Sequence, residues 1–167
     1  VWDDVDAADE GVTDLGSDNT IGYEGTFSGV TASASYARMG VGTDKSLVLM
    51  SDSLMDGLSV GYGMGTNVVT FSTEDDMTTA WAKYTAGAVT AGVQLSTIDK
   101  TAANSDVDRQ HVAVSFAVNE NLSVSYGISE VEYELSTKSD EESSGFSASY
   151  TMGSMTIAAF TNSEDSS

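Results

Sequence analysis

The residues in this sequence that could do chemistry are mostly carboxylates, and they crowd the start of the chain. Of the 167 residues, 26 are Asp or Glu and six are Lys or Arg. The opening stretch contains five closely spaced acids, Asp3, Asp4, Asp6, Asp9 and Glu10. Carboxylate oxygens are ligands that Ca²⁺ prefers, but this stretch lacks the residue spacing of an EF-hand loop. We therefore assign no metal ligands and no cofactor, and we keep calcium at the acidic loops as an open alternative.

Residues that could act in covalent or acid-base catalysis are few and scattered. The chain has one His, His111, and no Cys. It has no G-x-S-x-G elbow, and its Ser residues follow a strand alternation instead of clustering near His111. The carboxylate pairs lie in predicted loops, where nothing holds them at a catalytic separation. We predict that the protein is not an enzyme.

The net charge excludes one class of partner. A formal charge of -20 would repel a nucleic acid backbone. The sequence has no stretch near the roughly 20 apolar residues that a membrane-spanning helix needs. The functional residues must therefore be positioned by another kind of element.

Those elements are strands, because apolar and polar residues alternate with a period of two along most of the chain. Tight-turn candidates occur at Gly29, at Asp56 with Gly57, and at Gly87, Glu120 and Gly153, which gives steps of 27, 31, 33 and 33 residues from 29 to 56, 87, 120 and 153. The predicted strands are 20–28, 30–39, 46–54, 58–65, 77–86, 89–98, 109–118, 121–133, 144–152 and 154–162. The pattern predicts an all-β, antiparallel, up-and-down sheet of about ten strands.

The two ends and the two faces of this sheet differ. Longer polar stretches at 40–45, 66–76, 99–108 and 134–143 all fall at the end opposite the tight turns. One face is apolar, whereas the other carries mainly Ser, Thr and Gly, with little of the charge that a soluble sheet shows to water. Short turns at one end and long loops at the other are typical of a transmembrane β-barrel. The polar face would then line a lumen.

Four aromatic residues add a further indication. Phe27, Tyr84, Phe116 and Tyr150 each lie on the apolar face, two to four positions before a short turn. An interfacial girdle at the turn side of a membrane barrel requires such positions. The alternative is that they are core aromatics of a soluble sandwich.

The polar face also carries residues of interest. The alternation places Lys83 and Arg109 on this face, with His111 beside Arg109. The sequence GYGMG places Gly61, Gly63 and Gly65 on the same face, where small residues leave room for a pore or for a packed loop.

Several hairpins resemble the wall strands of Gram-negative general porins, most closely those of alphaproteobacteria. The resemblance is carried by IGYEGTFSGVTASASYARM, LSVSYGISEVEYE and SGFSASYTMGSMTIAAF, and it extends over the chain from Thr20 onward. It implies a barrel of about sixteen strands, a homotrimer in the outer membrane, and a third loop folded into the pore. The chain departs from the family by lacking the opening strand and by ending in TNSEDSS. We expect an internal portion of a longer porin, with a complete ten-stranded barrel as the alternative.

The resemblance also implies a division of the chain. Residues 1–19 would form an acidic loop that ends the inward-folded constriction loop, and residues 20–167 would form wall hairpins with short periplasmic turns and long external loops. The carboxylates of the acidic loop would face the basic wall residues across the pore. Opposed charges of this kind impose a transverse field on a narrow passage and set ion selectivity. The residues expected at this constriction are Asp3, Asp4, Asp6, Asp9, Glu10, Lys83, Arg109 and His111.

The function that we predict is therefore a porin of the outer membrane, through which small hydrophilic solutes and ions diffuse passively. Its expected partners are membrane lipid, those solutes and ions, and two further copies of itself. The alternative is a secreted or surface-layer acidic β-sheet protein whose folding depends on calcium.

Overall fold

The fold is a single antiparallel sheet of ten strands that follow one another in chain order. The computed structural model describes residues 20–38, 42–70, 73–135 and 137–166. The strands are β1 (Thr20–Phe27), β2 (Val30–Arg38), β3 (Thr43–Met55), β4 (Leu58–Thr70), β5 (Thr73–Ala86), β6 (Val89–Asp99), β7 (Val107–Ala117), β8 (Leu122–Tyr133), β9 (Glu141–Met152) and β10 (Met155–Ser166). All ten predicted strands are confirmed.

Tight turns join the strands at one end, and glycine makes most of these turns possible. The connections after β1, β3, β5 and β9 each have two residues, and each contains a glycine with a positive φ angle. In the first turn Ser28 and Gly29 both have positive φ, at 51° and 80°, as a type I′ hairpin turn requires. The turn after β7 is longer, and the side chain of Asn119 caps it by accepting bonds from the backbone N–H groups of Asn121 and Leu122.

The opposite end is less loop-rich than the sequence predicts. The prediction of a loop over 66–76 is wrong for most of its length, because β4 continues to Thr70 and β5 begins at Thr73. Thr66 and Asp76 are register partners, and the Thr66 hydroxyl donates to the Asp76 carboxylate at 2.8 Å. Side-chain pairing thus extends the ladder through residues that are polar enough to suggest a loop. The connections at 100–106 and 134–140 remain the long ones.

The sheet has no conventional hydrophobic core among the residues that the structure describes. No large side chain there is fully buried, and the apolar positions of the strands are exposed along one face. A soluble monomer rarely exposes apolar surface this extensive without a partner. The described residues include no helix long and apolar enough to cross a membrane.

Candidate functional site

The candidate site is the face of the sheet that carries Lys83, which we call the polar face. Antiparallel pairing puts directly opposed residues on the same face, so the register defines this face across all ten strands. Lys83 pairs with Ser59 on β4 and with Gly92 on β6. The side of the sheet that carries Tyr84 is the apolar face.

The structure brings the predicted basic residues together on the polar face. Lys83 lies on β5, and Arg109 and His111 lie on β7, with β6 between them. Gly92 on β6 pairs with Lys83 on one side and with Ala113 of β7 on the other, so Ala113 lies directly across the sheet from Lys83. Along β7, His111 is two residues and Arg109 four residues from Ala113. These offsets correspond to about 7 and 14 Å along the strand, and two strand steps correspond to about 10 Å across the sheet. The three groups therefore share one face, within two strand steps of one another.

Two register rows connect these groups to the far side of the sheet. The first row contains Trp81, Gln94, His111, Ser129, Ser143 and Glu164. The second row contains Lys83, Gly92, Ala113, Gly127, Gly145 and Asn162. Because four small residues separate Lys83 from Asn162, the wall between them is shallow.

Hydroxyl pairs across neighbouring strands fix the polar face. Ser125 and Ser147 are register partners with their hydroxyl oxygens 2.7 Å apart, and Thr85 and Thr90 are 3.0 Å apart. Cross-strand pairs of this type each stabilise a sheet by roughly 0.2–1 kcal/mol. These short side chains also keep their polar atoms near the backbone, so the face remains polar and carries few projecting side chains.

Gln94 is held more tightly than its position in a water-facing row suggests. Only 6% of it is exposed, and its amide Nε2 donates to the Ser96 hydroxyl at 3.4 Å. The Ser96 hydroxyl also lies 2.9 Å from that of Thr79, which is itself buried. This network lies beside His111, the register partner of Gln94 on β7.

The sequence analysis missed three aromatic residues on the polar face, which are Trp81, Phe160 and Tyr133, the register partner of Val107. Trp81 lies two residues before Lys83, so the alternation that placed Lys83 also places Trp81 on this face. Phe160 is the register partner of Ser147 and is 78% exposed. Pairing across the Gly153 turn, which opposes Met152 and Met155, was the signal that could have identified Phe160.

The four predicted girdle residues all lie on the apolar face. Phe27, Tyr84, Phe116 and Tyr150 are between 42% and 63% exposed. Each is within four residues of a turn at the same end of the sheet. Their position as an interfacial belt stays a prediction, since it depends on where the lipid lies.

The five acids expected at the constriction, Asp3, Asp4, Asp6, Asp9 and Glu10, lie outside the described residues. The structure therefore does not test their relation to Lys83, Arg109 and His111. Among the residues that are described, no group of three or more His, Asp or Glu side chains could hold a metal ion. What the described face offers chemically is hydrogen bonding, a few fixed charges and three aromatic rings, those of Trp81, Tyr133 and Phe160.

Comparison with known proteins identifies the class of this fold. A family model described as Gram-negative porin matches residues 3–166. Among solved structures, the chain is similar to an anion-selective porin from Comamonas acidovorans, with 16% identity and a TM-score of 0.70 over 86% of this chain and 49% of that one. It is also similar to the trimer form of in-vitro folded OmpT, an outer membrane protein of Vibrio cholerae, with 16% identity and a TM-score of 0.67 over 88% and 54% of the two chains. No curated protein matches the sequence.

At this identity the solved structures show the fold alone, which is an outer-membrane β-barrel. The chain spans about half the length of each of these structures. The ten strands therefore correspond to a large part of a barrel wall.

Proposed function

The chain belongs to the Gram-negative porin family, and from this premise we propose that it forms wall strands of a water-filled channel for passive diffusion of small hydrophilic solutes and ions. The membership confirms the resemblance seen in the sequence and locates the protein in the outer membrane. The polar face then lines the lumen, and the apolar face contacts lipid.

The observation that carries this proposal is the division of most strands between two unlike faces. The large exposed apolar side chains lie mainly on one face, as in Val112, Val114 and Phe116 of β7, whereas the exposed Met50 and the half-buried Val48 of β3 are exceptions on the polar face. The polar face carries mainly small and polar residues, and some of its Ser and Thr hydroxyls pair across strands. A lipid-facing wall around an aqueous lumen requires this arrangement.

We further propose that Lys83, Arg109 and His111 form the basic side of the pore constriction. Two observations support this assignment: the three residues share one face of the sheet, and they lie within three neighbouring strands. The acidic side would come from Asp3, Asp4, Asp6, Asp9 and Glu10. Fixed charges on opposite sides of a narrow passage order polar solutes and bias ion flow.

The remaining parts of the proposal concern partners. A homotrimer is proposed by analogy with the trimer form of OmpT. The girdle of Phe27, Tyr84, Phe116 and Tyr150 would lie at the lipid boundary on the turn side, where aromatic residues are enriched in membrane barrels. Passage through the channel involves no bond making, so no catalytic group and no cofactor is assigned.

Conductance across a planar bilayer tests the channel directly. The full-length protein, purified in detergent, is expected to give stepwise current increases in KCl, grouped in threes if it is a trimer. A salt gradient then gives the ion preference from the reversal potential. A protein that folds and inserts into lipid but carries no current would contradict the channel.

A further inference from the structure

An open cavity of about 480 Å³ lies on the polar face over β7, β8, β9 and β10. Its floor includes the small residues Ala113, Gly127 and Gly145, which are consecutive partners in one register row. The side chains around this floor are of several chemical types. They include Phe160, Asn162 and Glu164 from β10 and His111 from β7.

Phe160 is an exception to the pattern of its neighbours. Tyr126, Phe146 and Tyr150 of β8 and β9 belong to the apolar face, whereas Tyr133, at the far end of β8 from the tight turns, lies on the polar face. Phe160 instead opposes Ser147 on the polar face, and it is 78% exposed, in part because β10 is the last strand of the described sheet. A lipid contact therefore does not account for this ring. Its neighbours in the cavity are hydroxyl, amide and carboxylate groups.

Asn162 and Glu164 follow Phe160 at two-residue intervals, so all three side chains lie on the same side of β10. Successive members are about 7 Å apart along the strand. Asn162 lies over the wall: a Cβ added to Gly145 would be 2.8 Å from the Asn162 Oδ1 atom. The glycine thus allows the amide to rest on the cavity floor, between the ring and the carboxylate.

We propose that this cavity is a binding site for an uncharged, polyhydroxylated ring, that is, for a sugar passing through the lumen. The proposal rests on the proposed channel function, because the face must line the aqueous path. The apolar C–H face of a sugar ring packs on the exposed face of Phe160. Its hydroxyl groups donate to the Glu164 carboxylate and to Asn162 Oδ1, and accept from Asn162 Nδ2.

The groups that line the cavity suit a neutral occupant. Glu164 is the only Asp, Glu, Lys or Arg among the lining residues, and its carboxylate opposes an anion. A neutral molecule with many hydroxyl groups meets no such repulsion and uses both the aromatic and the polar groups. Binding sites of this kind combine an apolar surface with a few well-placed polar groups.

A transport role requires that a bound ring be released again, so we expect weak binding at this site. Conduction requires binding strong enough to favour entry and weak enough to permit exit. We expect dissociation constants near the millimolar range, which corresponds to about 4 kcal/mol.

Sugar-dependent block of single-channel current tests the site. The full-length protein is placed in a planar bilayer in KCl, and maltose is added, with the open-chain polyol mannitol as a comparison. We expect maltose to reduce the current at lower concentration than mannitol does. In Phe160→Leu, which keeps an apolar side chain but loses the ring, the half-blocking maltose concentration should rise about fivefold, equivalent to about 1 kcal/mol.

The second variant and the control separate this site from general effects. Glu164→Gln removes the charge but keeps an acceptor, so maltose block should persist, slightly weakened. Phe116→Leu removes a ring from the apolar face of β7, outside the cavity lining, and should leave maltose block unchanged. A normal KCl conductance in each variant shows that the channel is folded and open.

The outcomes distinguish the site from the channel. Absence of any current from the parent protein would overturn the channel and, with it, the sugar site. A conducting parent with no maltose block, or with block that Phe160→Leu does not change, would overturn the site alone. Block by tetraethylammonium that depends on Glu164, in place of maltose block, would identify a cation site and also overturn the proposal.

Discussion

The indole ring of Trp81 lies across the backbone of Gly61. A Cβ placed on Gly61 would be 2.8 Å from the Trp81 Cζ2 atom. Gly61 pairs with Trp81 on β5 and with Met50 on β3, so the ring lies on the wall between these two strands. The glycine therefore sets how far Trp81 projects into the lumen.

Gly61→Ala should push the Trp81 ring off the wall. A Cβ closer than 3 Å to a ring atom forces a shift, and overpacking of this type costs typically 1–3 kcal/mol. The displaced ring occupies lumen space, so we expect lower single-channel conductance together with a red-shifted indole emission. Both are measured on the full-length protein in a background in which Trp81 is the only Trp retained, with Trp2→Phe among the replacements.

Gly22→Ala is the matched control for this substitution. Gly22 lies on the polar face of β1, and a Cβ there would have its nearest neighbour, the Ala34 carbonyl oxygen, at 4.0 Å. The control should change neither conductance nor emission. Equal effects at Gly22 and Gly61 would show that loss of a strand glycine, and not the position of Trp81, is responsible.

The sequence predicted the strands better than it predicted the lumen wall. Alternation alone located all ten strands and placed Lys83, Arg109 and His111 on one face, because side-chain direction in a strand depends only on parity. It misread 66–76 as a loop, since Asp76 and its neighbours are polar and their cross-strand partners are set only by the register.

Phe160 shows a second limit of the sequence. Ala158 and Ala159 precede it, so the local pattern does not distinguish the two faces of β10. Its face is settled by pairing with Ser147 across the Gly153 turn. The packing of Trp81 over Gly61 depends on the direction in which the indole ring turns along the sheet. The alternation of residues predicts only the face on which Trp81 lies, not this direction.

Two turn glycines should respond differently to the same substitution. Gly57 and Gly87 both have positive φ, at 77° and 60°, so alanine at either costs roughly 1–2 kcal/mol in backbone strain. Only at Gly57 would the new Cβ also meet a neighbour, the carbonyl oxygen of Thr85. The Thr85 N–H donates to the Gly57 carbonyl at 2.8 Å, so this turn is tied to β5.

We therefore expect Gly57→Ala to lower the free energy of unfolding by more than Gly87→Ala does. Urea titration of the folded protein in detergent measures both. Equal losses would mean that the turn relaxes away from β5 and that backbone strain is the whole effect.

The basic wall residues should control ion preference. A unit charge about 7 Å from a passing ion in water changes the free energy of that ion by roughly 0.6 kcal/mol, close to RT. Removal of the charges by Lys83→Gln and Arg109→Gln should each raise the cation-to-anion permeability ratio by up to about sevenfold, because the free energies of the cation and the anion change by that amount in opposite directions. The reversal potential in a KCl gradient measures the change.

Lys45→Gln removes an equal charge from the other side of the sheet. Lys45 pairs with Tyr36, on the apolar face, and is exposed. The reversal potential should not move in this control. If Lys45→Gln shifted the reversal potential as much as Lys83→Gln does, the ion selectivity would depend on the total charge of the protein and not on the charges of the lumen wall.

Removal of divalent ions tests the calcium alternative. The described residues contain no group of acids that could hold a metal ion, so the strands should not depend on one. EDTA is expected to leave the strand signal in circular dichroism and the urea midpoint of the detergent-folded protein unchanged. Loss of folding in EDTA, reversed by Ca²⁺, would instead favour the calcium-dependent sheet protein.

The assignment of the two faces is tested most directly by an arginine placed on either side of one strand. Val112 lies at the middle of β7 on the apolar face and is exposed, whereas Ala113 lies on the polar face. An arginine on the lipid side near the bilayer midplane costs roughly 2–4 kcal/mol, whereas lumen positions tolerate charge. Val112→Arg should therefore weaken folding into phospholipid vesicles by that amount.

Ala113→Arg adds the same side chain one residue along the same strand. It should fold into vesicles almost as well as the parent and should lower the cation preference of the channel. Urea titrations in vesicles compare the two variants, and gel mobility without heating reports the folded barrel. If both variants lost the same stability, the two faces would be equally buried, as in a soluble sandwich, and the apolar face of β7 would not contact lipid.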